Sequence, residues 1–321
     1  MLHLRVICPA DRSSELVDLL TDAGGVTNVV VLHGAAHRPK GDVVLFDVAR
    51  EAANQIIERL KELGLAEEGS IAIERVDLSL SRAADTAEAE APGAPDDAVV
   101  WEDLSTQVSA ECRITWAYLA FLAIATQIAA IGVLLPSIIL IVGGMVLGPE
   151  FGAVAAVCFG LLRRDWRLIT LAVRTLVIGF TVAIAVTCAC ALVSRGLGWI
   201  GPENLNGHTE VEFIVKPDKW SFIIALLAGA AGVLSITAGK SSALVGVFIS
   251  VTTVPAAGYI AIAIALGKWD DVTGSVAQLA VNITGMVIAG TTTLLLQRFF
   301  WSKYGLRIAS PTPRMRGNSS V

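Results

Sequence analysis

The residue best placed to do chemistry is Glu150, a carboxylate within the otherwise apolar run IVGGMVLGPEFGAVAA (141–156). A charged side chain at the centre of a membrane helix costs about 2.5–3.5 kcal/mol on insertion scales, so it marks an ion, proton or substrate site by default. Gly148 and Pro149 precede it. Proline has no N–H to donate and clashes with the preceding turn, which frees carbonyls. In lipid those groups must meet protein or line a polar cavity. Glu150 could bind a cation, carry a proton or pair with Arg174; the alternative is a neutral or paired structural residue at a helix break.

A second run, GVFISVTTVPAAGYIAIA (246–263), places Thr252, Thr253 and Pro255 at the equivalent depth. Threonine hydroxyls and freed carbonyls can replace part of a solute's hydration shell, although threonine also back-bonds to its own helix. The candidate site is therefore Glu150, Gly148, Pro149, Gly152, Thr252, Thr253, Pro255, Gly258 and Asn282. Gln127, Ser235, Thr237 and Thr284 are supporting polar groups, for which bonding between helices is the simpler reading. Arg174 could snorkel to the membrane surface.

The two runs belong to a repeat. Residues 149–183 and 255–289 align without a gap at an offset of 106, matching Pro149 with Pro255, Gly152 with Gly258, Asp165 with Asp271, Gly179 with Gly285 and Ala183 with Ala289. Interrupted hydrophobic segments at corresponding positions of two halves point to a transporter-like site. The repeat is asymmetric at its most reactive position, since Glu150 faces Ala256 in the alignment.

The elements that must hold these residues follow from composition. The 321 residues are 54% hydrophobic and only 17% charged, with a mean hydropathy of +0.67. The acidic groups concentrate in 1–113, and 114–300 is dominated by Ala, Val, Ile, Leu and Gly. A span needs about 20 apolar residues, which places six near 115–135, 138–162, 168–194, 220–238, 242–267 and 273–299. MLHLRVICPADRSS lacks the apolar core of a signal peptide, so the N-terminal part is expected in the cytoplasm. Arg163, Arg164, Arg167, Lys240 and the tail bearing Arg298, Lys303, Arg307, Arg314 and Arg316 then fall inside, as the positive-inside rule requires. Both termini are thus expected in the cytoplasm, with the spans in the cell (cytoplasmic) membrane. Three spans per copy make the repeat inverted (3+3), with Asp165 and Asp271 capping helices at opposite faces.

Residues 1–78 read as βαββαβ: strands at 4–8, 27–34, 41–48 and 70–78, a helix capped by Ser13 or Ser14, and a second helix over 49–65 with a stop at Gly64. This is the order of a cytoplasmic ferredoxin-like α+β domain. Residues 79–100, rich in Ala, Asp, Glu and Pro, read as a flexible linker. Residues 101–113 place Trp101, Leu104, Val108 and Cys112 at helical spacing, either as an amphipathic interfacial helix or as an extension of the first span. The basic tail is 301–321.

Other chemistry is not signalled. The net charge of −5 gives no case for nucleic acid. There is no P-loop, GxSxG or HExxH, and an enzyme is not expected. The five cysteines form no CxxC pair and read as reduced. His33 and His37, spaced HxxxH, would suit a metal only on a helix, and GAAHRPKG reads as a loop; no metal or cofactor is expected.

GGMVLGPEFGAVAA, LLRRDWRLITLAVRTLVIGF, GAAGVLSITAGKSSALVGVFISVTTVPAAG and LAVNITGMVIAG together resemble the bacterial and archaeal "uncharacterised hydrophobic domain" family, domain of unknown function 389, over roughly 100–300. That family tends to carry a second proline where this chain has Ala153 and Ala256, and many relatives have an apolar residue at Glu150; GPEFG looks like an actinobacterial-type subgroup. The resemblance implies an integral membrane protein and supplies no substrate. The expectation from the residues is a transporter or channel for a small solute or ion, homo-oligomeric in the lipid bilayer, with Glu150 as charged ligand or proton carrier. The alternative is a non-transporting receptor or scaffold whose cytoplasmic domain senses a ligand or partner.

Overall fold

The structure is a computed structural model that describes residues 1–76, 78–91, 99–205, 219–238 and 253–304. It divides into two units, Met1–Asp103 with Phe300–Val321, and Leu104–Phe299.

The first unit is built on a four-stranded antiparallel sheet, order β2-β3-β1-β4, from β1 (Leu2–Cys8), β2 (Val26–His37), β3 (Lys40–Val48) and β4 (Ser70–Arg75). Helices α1 (Ser13–Asp22), α2 (Arg50–Glu62) and the short α3 (Leu65–Glu68) complete the expected βαββαβ order with one extra turn. Strict alternation in LHLRVIC buries Leu2, Leu4, Val6 and Cys8 on one face, where they pack with Leu16 and Leu20 of α1 and Ile56, Ile57 and Leu60 of α2. Gly64, at φ 70°, occupies the left-handed position that lets the chain turn out of α2.

Three local expectations change. Ser13 does not cap α1, because its hydroxyl donates to Asp42 instead. The GAAHRPKG stretch is not a loop over its first half: β2 runs on to His37, and the chain turns only at Arg38-Pro39 before β3. The stretch read as a flexible linker contains a helix, α4 (Arg82–Glu90), whose Ser81 cap accepts from the Ala84 N–H and whose Ala84 and Ala87 are buried.

The second unit is helical. Its elements are α5 (Trp101–Glu111, divided between the units after Asp103), α6 (Trp116–Leu134), α7 (Ile138–Leu147), α8 (Glu150–Arg163), α9 (Trp166–Gly196), α10 (Lys219–Ala238), α11 (Thr253–Leu266) and α12 (Trp269–Tyr304). Among the described residues α6, α9, α10 and α12 are long and apolar enough to cross a membrane; α7 with α8, bent by 54°, makes a fifth if the pair is one span. Outward-facing Ile138, Ile139, Val177, Leu227 and Leu296 fit a lipid-facing surface. The six expected spans are thus four or five here: of the segment 242–267 only α11 is described, 14 residues long. Thr252, the first half of that segment, most of the 196–219 loop and the tail from 305 lie outside the described residues.

Glycines set the helix spacing. A side chain at Gly229 of α10 would stand 2.4 Å from the Met286 carbonyl oxygen of α12, and one at Gly258 of α11 would stand 2.9 Å from the Ala130 nitrogen of α6. Backbone cannot yield as a flexible side chain can, so both contacts require glycine.

Candidate functional site

Glu150 is the first residue of α8. Pro149 is its N-cap, and Gly148 ends α7 in an extended conformation (φ −67°, ψ 120°). The break expected at Gly148-Pro149 is therefore real, and it is a junction of two helices. Pro255 lies near the N-terminal end of the described part of α11.

The start of α8 meets the first described turn of α11. The Thr253 hydroxyl, on the first described residue of α11, donates to Glu150 Oε1 at 2.8 Å; Glu150 is 1% exposed and Thr253 fully buried. The directions of the helices follow from their neighbours. α8 and α9 form a tight antiparallel pair, closed by Arg164 at φ 57° and by Gly160 against Ile169. About 15 Å back along α8 and forward along α9, Glu150 comes level with Gly179, near the middle of the 31-residue α9. α11 runs the other way, because the Arg195 guanidinium at the far end of α9 donates to the Ala265 carbonyl near its end at 2.7 Å. α8 therefore starts at a buried carboxylate, and the described part of α11 leads away from it in the opposite direction. The α8 N-terminus carries a partial positive charge, which favours a carboxylate by up to ~2 kcal/mol when partly buried.

Around this point stand residues that the sequence did not single out. Tyr118 of α6 packs on Gly179, where a side chain would meet its hydroxyl at 2.9 Å, and lies in the field of Glu150. Glu111 at the end of α5 leans over Gly152, so close that a side chain there would fall 2.3 Å from its Oε2. Thr175 of α9 donates to the Cys112 carbonyl at 2.6 Å, fixing the end of α5. Burial, aided by Glu111, pushes the Cys112 thiol up to about 11, so it remains a thiol. Glu111 escaped notice because it lies outside the apolar runs, and Tyr118 because a tyrosine near the start of an apolar span is not conspicuous.

The candidates separate accordingly. Glu150, Pro149, Gly148 and Thr253 form the junction, and Gly152 admits Glu111 beside it. Pro255 shapes the start of α11. Gly258 sits about 7.5 Å along α11 and serves contact with α6 through Thr126 and Ala130. Asn282 is fully buried on α12. Arg174 is exposed on α9 and makes no ion pair with Glu150, leaving the snorkelling alternative. Thr284 is exposed, Gln127 donates to Cys190 at 3.2 Å, and Thr237 bonds its own helix and accepts from Gln297, which are helix-to-helix roles. Asp165 caps α9 by accepting from the Arg167 and Leu168 N–H groups, whereas Asp271 lies inside the first turn of α12 and accepts from Tyr259.

The first unit holds a second polar cluster. Asp42 accepts from Ser13 Oγ (2.6 Å) and the Gly34 N–H (2.7 Å) and pairs with His33 Nδ1 (2.9 Å). Those bonds, the Ser13 hydroxyl foremost, hold its carboxyl down at about 2. His33 thus faces a carboxylate from a strand. No group of three or more His, Cys, Asp or Glu side chains that could hold a metal occurs among the described residues.

A mostly helical chain with several membrane-length apolar helices, one of them bent at a buried carboxylate, defines the class of a polytopic membrane protein. Residues 145–288, which contain the junction, match the family described as Domain of unknown function (DUF389), the family that its motifs resemble. The "Uncharacterized protein MJ0678" of Methanocaldococcus jannaschii is 22% identical over 241 residues, 74% of this chain and 72% of that protein. No solved structure gives a significant match.

Proposed function

We propose that this protein is a transporter or channel for a small solute or ion, whose site lies where α8 begins and meets α11. One observation carries the reading: a fully buried carboxylate, Glu150, at the start of α8, held by Thr253 of the oppositely directed α11. Discontinuous helices that expose their ends at mid-depth are how transporters build polar sites in lipid. A structural carboxylate would be cheaper at the surface, where water solvates it. Glu150 binds a cation or carries a proton; Thr253 positions it; Gly148, Pro149, Gly152 and Pro255 shape the backbone around it. Asn282 and Thr252 supply neutral ligands. The opposite directions of α8 and α11 support a 3+3 inverted repeat of six spans. In that arrangement both termini are cytoplasmic, the membrane is the bacterial inner membrane, and the ferredoxin-like domain gates the site or assembles a homo-oligomer.

The test uses proteoliposomes loaded with a pH-sensitive dye under an imposed potassium–valinomycin potential. The wild type is expected to pass protons, and Glu150→Gln to lose that flux or its pH dependence while eluting as a folded protein. Proton flux in Glu150→Gln equal to the wild type in rate and pH dependence would remove Glu150 from the mechanism.

A further inference from the structure

Ser275 and Gln278 of α12 are fully buried, and among the described residues neither Ser275 Oγ nor either amide atom of Gln278 has a hydrogen-bond partner. Local rescue was open to Ser275: on the same helix Thr273, Thr292 and Thr293 all back-bond to the carbonyl four residues earlier. Two successive turns thus bury donors and acceptors that no described residue satisfies, a costly arrangement unless another conformation supplies the partner.

Their place in the fold says what that conformation would open. Near its start α12 touches α11, where Tyr259 donates to Asp271 at 3.3 Å. Further on it touches α8, where the Cys158 thiol donates to the Val287 carbonyl at 3.6 Å. Because α11 and α8 lead away from Glu150 in opposite directions, α12 crosses the depth of Glu150 between those contacts, and Ser275, Gln278 and Asn282 lie in that interval. Val272 and Leu279 pack on the apolar cluster that contains Ala256, Tyr259, Ile262 and Ala263 of α11. Ser275 shares their face by helical spacing, with Gln278 beside it.

We propose that the seam between α11 and α12 is a solute path from the Asp271 end of the membrane unit to Glu150, closed in this conformation and latched by the Tyr259–Asp271 bond. Opening hydrates Ser275 and Gln278, which then pass water and small solutes that both donate and accept hydrogen bonds. The path deepens the reading of Glu150 as the binding site, and its test reads water access without flux, so the two can fail separately.

Ser275→Cys, Gln278→Cys and the outward-facing Val276→Cys are made with Cys8, Cys112, Cys158, Cys188 and Cys190 replaced by alanine, and membranes are treated with methanethiosulfonate ethylammonium. Positions 275 and 278 are expected to react and position 276, facing lipid, to stay silent. Tyr259→Phe should raise labelling at 278 roughly fivefold, the shift expected from losing one hydrogen bond. Labelling at 278 no faster than at 276, with or without the latch, overturns the path. Should the cysteine variants not fold, hydroxyl-radical footprinting of the unsubstituted chain decides: Tyr259 oxidised well above the likewise buried Phe159 supports the path, and equal protection rejects it.

Discussion

Two buried carboxylates, Asp42 in the sheet domain and Glu150 in the membrane unit, solve the same electrostatic problem differently. Asp42 is met by a serine hydroxyl, a backbone N–H and a histidine, all from one compact domain with water close by. Glu150 receives the Thr253 hydroxyl from 103 residues away, at a point where the chain has been interrupted. Glu150, where α8 begins and the oppositely directed α11 reaches it, sits where small motions change its surroundings, and that setting is why we propose function for Glu150 and structure for Asp42.

Neutralising each carboxylate tests the contrast most sharply. Glu150→Gln should abolish proton flux with little change in melting temperature, whereas Asp42→Asn should lower the melting temperature and leave flux per folded molecule intact; the reverse pattern would invert the assignment. The next largest effect is steric. Gly258→Leu forces a side chain against the α6 backbone and should destabilise the membrane unit by about 1–3 kcal/mol, read as loss of monodisperse protein on gel filtration. Thr253→Val removes the hydroxyl from Glu150 and should weaken the proton flux, with Thr253→Ser restoring it; equal flux in both variants would detach Thr253 from the site.

Acid titration reads the Asp42 contribution directly. Asp42 is held at about 2 against an ordinary 3.8, so its contribution is complete above pH 3.8 and fades as pH falls through about 2. Circular dichroism of the full chain should show that loss in the wild type, and a smaller one in Asp42→Asn. The smallest effect is expected at Asp165→Ala, where losing the α9 cap costs about 1 kcal/mol and should lower the melting temperature slightly without touching flux.

Much of this was legible without coordinates. Alternation in LHLRVIC gave the buried face of β1, Gly64 gave the end of α2, and Gly148-Pro149 gave the break before Glu150, because each rests on bonding within a few residues. Ser13 misled because a serine before a helix is equally able to cap it or to reach another strand, and only the position of Asp42 decided which. Gln278 was passed over within a long apolar span, since nothing local reveals that an amide is left without a partner among the described residues.

By itself, the sequence determined that the chain has an apolar helical part and a separate α+β part, and that a carboxylate and two prolines interrupt the former. Periodicity and hydropathy are local quantities, and lipid permits few backbone solutions. Only the tertiary structure decided that Thr253 reaches Glu150, that α8 and α11 lead away from that contact in opposite directions, and that Glu111 and Tyr118 attend it. Those facts depend on how close glycine surfaces such as Gly258 on α6 and Gly160 on α9 let helices approach, a property of pairs of helices that no single stretch of chain contains.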